Sequence, residues 1–382
     1  MSFSSLGLSQ FLVDAAAKEQ YLQPYPIQIQ AIPAILSGKD VLGIAQTGSG
    51  KTASFVWPIL QLLQNKNSIQ NRHVLALVLV PTRELAVQVG DVFTLFAKAA
   101  PQRIKTMAVF GGVSINPQMI NMQGVAILVA TPGRLLDLVD AKAVSLSSVQ
   151  ILVLDEADKM LNLGFQAEME AIFKLLPLKR QNLLFSATLA KEVVNITELI
   201  LKDAITIEID TEAGNENIDL ISQKAYSAED ERKGPVLRYL IKQHNMKQVL
   251  VFTSSIHKAD AVVAKLRINK IAAEAIHSKK SQGARVEALR NFKSGRLQVL
   301  VATDIMSRGI DIPFLPFVIN YELPRSPKDY IHRIGRTGRA ESPGEAISLV
   351  SKAEQHHFEV IQKKMKKVVL LQETESIDLK GF

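Results

Sequence analysis

Short runs of branched apolar residues recur along the chain, separated by stretches in which apolar residues return every three or four positions. In the first half the runs are Val41–Ile44, Val74–Val80, Met107–Phe110, Val125–Ala130, Ile151–Leu154, Leu183–Phe185 and Ile205–Ile209. Runs apolar on both faces predict buried parallel strands, and the 3.6-period stretches between them predict helices. Such helices are expected over Ile29–Leu36, over Ala53–Leu63 and from the opening Pro81–Ala86 to about Lys98. The alternation restarts with Gln248–Phe252, a helix over Ile256–Leu266, and further strands at Ile271–Ile276, Leu297–Ala302 and Phe317–Tyr321. Between the two series, residues 210–220 are acidic, polar and poor in apolar side chains. The pattern predicts an α/β protein built from two doubly wound parallel sheets: a domain over 1–209, a linker at 210–220 and a second domain over 221–382.

Composition narrows the classes. The chain has 382 residues, 47% hydrophobic and 21% charged, and carries a net charge of +8. Residues 1–209 hold 17 basic and 16 acidic residues, whereas 210–382 hold 28 and 21. The excess of base in the second half fits a polyanionic partner. No cysteine is present, which excludes disulfides, thiolate metal sites and cysteine nucleophiles and suits a reducing compartment. No apolar run reaches the ~18–20 residues of a membrane span. The first 18 residues lack a basic start and carry Asp14, unlike a signal peptide.

Chemistry concentrates where strands end. Ile151–Leu154 runs into Asp155-Glu156-Ala157-Asp158. Ligands of open α/β sheets bind beyond the C-terminal ends of strands, and clustered carboxylates there suit a hard cation. Val41–Ile44 runs into Ala45-Gln46-Thr47-Gly48-Ser49-Gly50-Lys51-Thr52 and then a helix. Strand, glycine turn and helix form a phosphate cradle. Gly48 and Gly50 allow backbone N–H groups to approach phosphate, Lys51 adds charge, and Thr52 offers a hydroxyl to Mg²⁺. Ala45 departs from the plain expression, which has glycine there. Together the two stretches point to a nucleoside triphosphate with magnesium, Asp155 on the metal and Glu156 free to activate water. Gln248–Ser255, strand then turn, is expected to hold the place in the second half that the glycine loop holds in the first. It lacks the glycines and the lysine, so one nucleotide per chain is expected.

Other strand ends carry small residues, prolines and arginines: Pro81-Thr82-Arg83, Gly111-Gly112 and Thr131-Pro132-Gly133-Arg134. Helix capping explains any one of them; several on one sheet edge suggest a strip reading a phosphodiester backbone. In the second half Arg285 is expected to stand exposed on a helix packed through Leu289 and Phe292. His332–Arg339 holds three arginines and two glycines, a flexible turn able to bring an arginine to a phosphate or to bind polyanions generally. Near the N-terminus, Tyr21–Gln28 has two prolines around a glutamine, either a stiff turn into a helix or an amide held to read a base edge. Trp57 is expected in the core, and the four lysines at 363–367 on a solvated helix face.

In sequence order, these motifs resemble the DEAD-box RNA helicases of helicase superfamily two. The likeness runs from Phe3 to about Val350. It includes the aromatic-plus-glutamine motif (Phe3, Tyr21–Gln28), the loop Ala45–Thr52 with its alanine, the tetrad Asp155–Asp158, Ser186–Thr188 and the complete 332–339 segment. Gln20, Tyr25, Ser278 and Ser307 depart from the usual residues without removing a charged participant. The resemblance implies two RecA-like domains that close on ATP and single-stranded RNA. It implies adenine contacts from Gln28 with Phe3 stacking, and Mg²⁺ near Thr52 and Asp155. Glu156 then activates water, Arg336 and Arg339 are the fingers on the γ-phosphate beside His332, and Asp311 contacts ribose. Pro81, Thr82, Arg83, Gly112, Thr131–Arg134, Arg285 and Thr303 become RNA contacts, with Asp158, Ser186, Thr188 and Asp304 coupling hydrolysis to closure. The expected protein is a cytoplasmic monomer without membrane contact: an ATP-dependent RNA helicase of weak sequence preference, with target choice supplied by protein or ribonucleoprotein partners. The alternative is an ATP-gated RNA clamp with little unwinding.

Overall fold

The structure is a computed structural model describing residues 2–46, 48–64, 72–209, 221–303, 315–337, 344–375 and 377–382. The chain divides into two compact units, Met1–Thr211 and Glu212–Phe382. The expected linker at 210–220 lies outside the described residues.

The first unit is built on seven strands: β1 (Val41–Ile44), β2 (Ala76–Leu79), β3 (Thr106–Val109), β4 (Ile127–Ala130), β5 (Ile151–Leu154), β6 (Gln181–Ser186) and β7 (Ile205–Glu208). They pair in parallel in the order β3-β4-β2-β5-β6-β1-β7. Successive side chains of a strand face opposite sides of the sheet. Val78, Val129, Val153 and Leu183 accordingly join one core, and Leu77, Leu128, Leu152 and Leu184 the other. Burial on both faces explains why these strands are visible as unbroken apolar runs.

The helices of this unit are α1 (Gln10–Lys18), α2 (Pro26–Leu36), α3 (Lys51–Leu63), α4 (Arg83–Ala97), α5 (Asn116–Ile120), α6 (Pro132–Asp140), α7 (Ala157–Asn162), α8 (Gln166–Leu175) and α9 (Lys191–Ile200). Trp57 on α3 is fully buried, with the rings of Phe3, Tyr21 and Phe96 set edge-on at 5.0, 5.2 and 5.4 Å.

The second unit has β8 (Ser222–Ser227), β9 (Val249–Thr253), β10 (Ala273–Ile276), β11 (Val299–Thr303), β12 (Phe317–Asn320), β13 (Glu345–Val350) and β14 (Leu371–Glu373). Their order, β10-β11-β9-β12-β13-β8-β14, repeats that of the first unit strand for strand. The described helices are α10 (Asp230–Gln243), α11 (Ile256–Ile268), α12 (Gln282–Lys293), α13 (Pro327–Ile334) and α14 (Gln355–Met365).

The shared order corrects one expectation. The counterpart of β1 is β8, so the place of the glycine loop falls at Ala228-Glu229, ahead of α10. Val249–Ser255 corresponds instead to β2 and the turn into α4. The caps agree: Ser255 accepts from Lys258 N at 3.2 Å, as Thr82 accepts from Leu85 N at 3.2 Å. The polar strand β8 has no apolar run to reveal it.

Candidate active site

Because every pair in the first sheet is parallel, all loops that follow strands emerge at one edge. The edge carries residues 45–50 after β1, 81–83 after β2, 110–112 after β3, 131–134 after β4, 155–158 after β5 and 186–188 after β6. The ladder continues into these loops: Ala45 N donates to Ser186 O at 3.0 Å and Thr131 N to Val109 O at 3.2 Å.

The loop after β1 turns on two glycines in the left-handed region, Gly48 at φ 88° and Gly50 at φ 87°. Gly50 caps α3, and a Cβ there would lie 2.6 Å from Gln28 Nε2. Gly50 therefore meets two demands that only glycine satisfies together, conformation and space. Gln28 is fully buried: its Oε1 accepts from Tyr25 N at 2.9 Å and its Nε2 donates to Gly50 O at 3.1 Å. It ties the N-terminal turn to the loop. Ser49 Oγ donates to Gln46 O at 2.8 Å, Gln46 is exposed, Thr52 is half-buried, and Thr47 lies outside the described residues.

Lys51 opens α3 and is 6% exposed, with Nζ donating to Ala45 O. Burial pulls its ammonium below its ordinary range, while Asp155, Glu156 and Asp158 pull the other way. Asp155 is the counterpart of this conflict. Burial, then the neighbouring Glu156 charge, push its carboxyl up to about 7, against the opposing pull of Lys51 and Lys159. One oxygen each of Asp155, Glu156 and Asp158 is buried and accepts no hydrogen bond. Glu156 adopts φ 54° and ψ 48°, a strained conformation for a side-chain-bearing residue. Its Oε1 lies 2.6 Å from Lys159 Nζ. Thr188 Oγ1 donates to Asp158 Oδ2 at 3.4 Å, and Ser186 Oγ donates to Thr188 O at 2.8 Å, linking the ends of β5 and β6.

Among the described residues no group of three or more His, Asp or Glu side chains could hold a metal alone. Magnesium does not require one, since it is commonly held by one or two carboxylates, waters and substrate phosphates. The Asp155 oxygen that accepts no hydrogen bond, with Lys51 as an electrostatic neighbour, fits that mode.

The other strand-end loops brace one another. Gly112, at φ 74°, lies directly beneath the Arg83 guanidinium, which a Cβ there would strike. Arg134 is 8% exposed, with Nη2 donating to Val113 O at 2.9 Å and Nε to Asp137 Oδ2 at 3.2 Å. Gln118 holds both the N–H and the carbonyl of Phe110, at 3.1 and 3.3 Å. Pro81, Thr131 and Pro132 are buried; Thr82 and Gly133 are half-buried.

Three expectations are corrected. Phe3 lies in the core edge-on to Trp57, at 5% exposure, so it supports the site through packing and does not present a ring face to a base. Arg285 is buried at 5% exposure, its Nη2 donating to Gln282 Oε1 on the same helix. The segment beginning at His332 is not all flexible turn: His332 and Arg333 lie on α13. Arg333 is 2% exposed, donates to Asn320 Oδ1 at 3.0 Å and to Glu322 O at 2.7 Å, and sits over the Phe252 ring. His332 is exposed, Arg336 half-buried, and Thr303 closes β11 at 9% exposure. Asp304, Asp311 and Arg339 lie outside the described residues.

Sequence reasoning missed Lys159 and Gln118. Lys159 had a signal, its i+3 spacing from Glu156; Gln118 had none, because its partner is a backbone turn.

Residues 25–196 match the family DEAD/DEAH box helicase, and residues 232–341 match the helicase conserved C-terminal domain. The chain is 36% identical over its whole length to the ATP-dependent rRNA helicase RRP3 of Gibberella zeae, spanning 77% of that protein. It is 37% identical to the ATP-dependent RNA helicase CshA of Listeria monocytogenes, over 96% of this chain and 69% of that one. Among solved structures it is similar to S. cerevisiae Dbp5 bound to RNA and ADP BeF3, with TM-score 0.83, 30% identity, and coverage of 100% of this chain and 97% of the other.

Proposed function

Since the chain belongs to the DEAD/DEAH box helicase family, we propose a division of labour among its residues. The protein is an ATP-dependent RNA helicase with two RecA-like units, an enzyme that uses ATP and binds RNA. The observation that carries the residue assignment is the set of donorless buried oxygens on Asp155, Glu156 and Asp158 facing a buried Lys51.

In this reading the phosphates lie on the backbone N–H groups of residues 46–52, including Thr47, with Lys51 neutralising the β and γ charges. Thr52 and Asp155 would hold Mg²⁺, which when bound with ATP would offset charge on the phosphate oxygens. Glu156 takes a proton from, or orients, the attacking water, after its carboxylate turns from Lys159. Gln28, with Tyr21 nearby, reads the adenine edge, and Asp311 the ribose. Arg336 and Arg339 stabilise charge leaving the γ-phosphate, with His332 beside them. The loop and carboxylates belong to one unit and these arginines to the other, so turnover draws on both.

The RNA backbone runs over Pro81–Arg83, Gly112, Thr131–Arg134 and Thr303. Arg83 is the direct guanidinium contact; Arg134 acts by holding the loop at Val113, and Arg285 by bracing the start of its own helix through Gln282. A backbone-reading strip implies weak sequence preference and strong salt dependence. Asp158, Ser186, Thr188 and Asp304 couple hydrolysis to RNA grip. A monomer in a reducing, cytoplasmic setting completes the reading, supported by the absence of cysteine.

The test is steady-state ATP hydrolysis with single-stranded RNA, with matched DNA and with neither. RNA is expected to stimulate and DNA not. Glu156→Gln is expected to lower turnover about 100-fold or more while still binding ATP and RNA; undiminished hydrolysis would remove Glu156 from its role. An RNA clamp is not favoured, because Lys51, Asp155 and Glu156 are all in place, and strand displacement by the wild type separates the two.

A further inference from the structure

A parallel sheet has two ends, and the reaction occupies only one. At the opposite end of the first sheet, where β2 and β5 begin, lies an open groove of about 790 Å³. That volume falls within the range of natural ligand and peptide sites. Its walls come from five segments that converge before strands or after helices: residues 72–73, 119–123, 139–142, 144–147 and Leu175 at the end of α8.

The walls are held in place. His73 and Ser145 form a parallel bridge, with Ser145 N donating to Arg72 O at 2.9 Å. Arg72 Nη1 donates to Lys142 O at 2.7 Å, fixing Lys142 at φ 53°. The His73 ring nitrogen Nδ1 is 3.2 Å from Ser148 Oγ. Lys105 Nζ clasps the far rim through Asn121 O at 2.8 Å and Gln123 O at 2.7 Å. This is a formed depression, not a gap between mobile side chains.

Its surface has two characters. Ile120 stands 78% exposed and Leu175 43% exposed, bulky apolar residues outside the packed core clusters. Arg72 and Lys142 line the same groove, and neither has a carboxylate partner among the described residues. Among the described residues, Arg72, His73 and Lys142 are the titratable ones lining the groove, and no acidic side chain lines it. A nucleic acid would meet cations here, but among the described lining residues no Phe, Tyr or Trp offers a broad stacking platform, and the one imidazole, His73, has its Nδ1 turned to Ser148. Exposed aliphatic anchors flanked by unpaired cations complement a peptide, in which apolar side chains fill the depression and carboxylates meet the rim.

We propose that this groove docks a short segment of a partner protein, one that places a bulky aliphatic residue within a few positions of Asp or Glu. The site is independent of the ATP and RNA assignments. Bound there, a partner leaves the reactive edge of the sheet open, so it can recruit the helicase to a target without competing with nucleotide.

The test selects a phage-displayed random peptide library on the full chain. Enriched peptides, made synthetically with a fluorescent label, are then titrated against the wild type and the variants Ile120→Asp and Lys142→Glu. Both positions are exposed, and RNA-stimulated ATP hydrolysis together with thermal melting confirms that each variant is folded. The expected result is peptides pairing Leu, Ile or Met with acidic residues, bound about tenfold more weakly by each variant. Peptides without carboxylates, peptides that bind both variants as well as the wild type, or no enrichment overturn the proposal. So does a comparable loss of poly(U) affinity in Lys142→Glu, which would make the groove an RNA surface.

Discussion

The two units share a strand order and differ in what they do with one buried lysine. In both, the first strand of the unit leads through a turn to a helix whose opening turn buries a lysine: Lys51 at 6% exposure and Lys233 at 1%. Around Lys233 the charge is closed. Its Nζ lies 2.6 Å from Glu354 and 3.4 Å from Asp230. Burial pushes the Glu354 carboxyl up, but the Lys233 hydrogen bond and the Ser351 donors outweigh it and leave it below its ordinary range. Around Lys51 the charge stays open: its neighbours Asp155, Glu156 and Asp158 each keep a donorless oxygen. The turns differ in the same sense. Gly48 and Gly50 turn the chain through the left-handed region in the first unit, with no acidic residue in the helix's first turn, whereas Glu229, Asp230 and Glu231 surround the helix start in the second and repel an anion. One scaffold thus either closes a buried lysine in an ion pair or leaves it near carboxylates with open oxygens, depending on whether the cation is satisfied internally.

The largest effect should come from removing the open lysine. Lys51→Ala is expected to lower RNA-stimulated turnover about 100- to 1000-fold, whereas Asp230→Asn at the matching helix start should leave it within about twofold. Equal losses in steady-state assays would mean the two turns are not functionally distinct.

Removing the closed lysine should act on stability. Lys233→Met strands a partly buried Glu354 carboxylate, at a cost of about 2 kcal/mol in urea unfolding at neutral pH. Glu354 has a depressed folded value, so its contribution is present above the ordinary 4.5 and lost as pH falls through the folded value. The gap between variant and wild type should therefore narrow on acidification, and adding Glu354→Gln should recover part of it. A gap that does not change with pH would show that packing, not charge, holds Lys233.

The smallest effect tests the strain stored at the open site. Asp155 is raised from 3.8 to about 7, so the folded chain keeps its proton longer than the unfolded chain does. Stability is then lost as pH rises through that interval and stays reduced above it. Asp155→Asn should raise the melting temperature of nucleotide-free protein by about 2 to 4 °C above pH 7, with no gain below pH about 4. A gain of the same size at both ends would assign the effect to something other than ionisation.

How much of this was legible varied with how local each cause is. Strands such as Ile151–Leu154 announce themselves because a strand buried on both faces must be apolar throughout. β8 does not, since its Ser222–Ser227 sequence begins exposed and Lys224 is held by Glu345 across the sheet at 3.1 Å. Missing β8 shifted the expected counterpart of the glycine loop by one strand. The loop and the carboxylates were legible because their chemistry depends on neighbours in sequence. The fates of Arg333 and Arg285 were not, because a guanidinium looks the same in sequence whether it meets solvent or a buried acceptor such as Asn320.

Trp57 is the sole tryptophan of the chain, fully enclosed by Phe3, Tyr21 and Phe96 on the helix that the glycine loop opens. The molecule therefore carries its one indole in the first half, while the second half has only the tyrosines Tyr226, Tyr239, Tyr321 and Tyr330, so excitation at the red edge of the tryptophan band selects the first. Its emission should be blue-shifted when folded and should report the melting of the first unit alone. Circular dichroism sees both units, so the difference between the two signals isolates the second without any added dye.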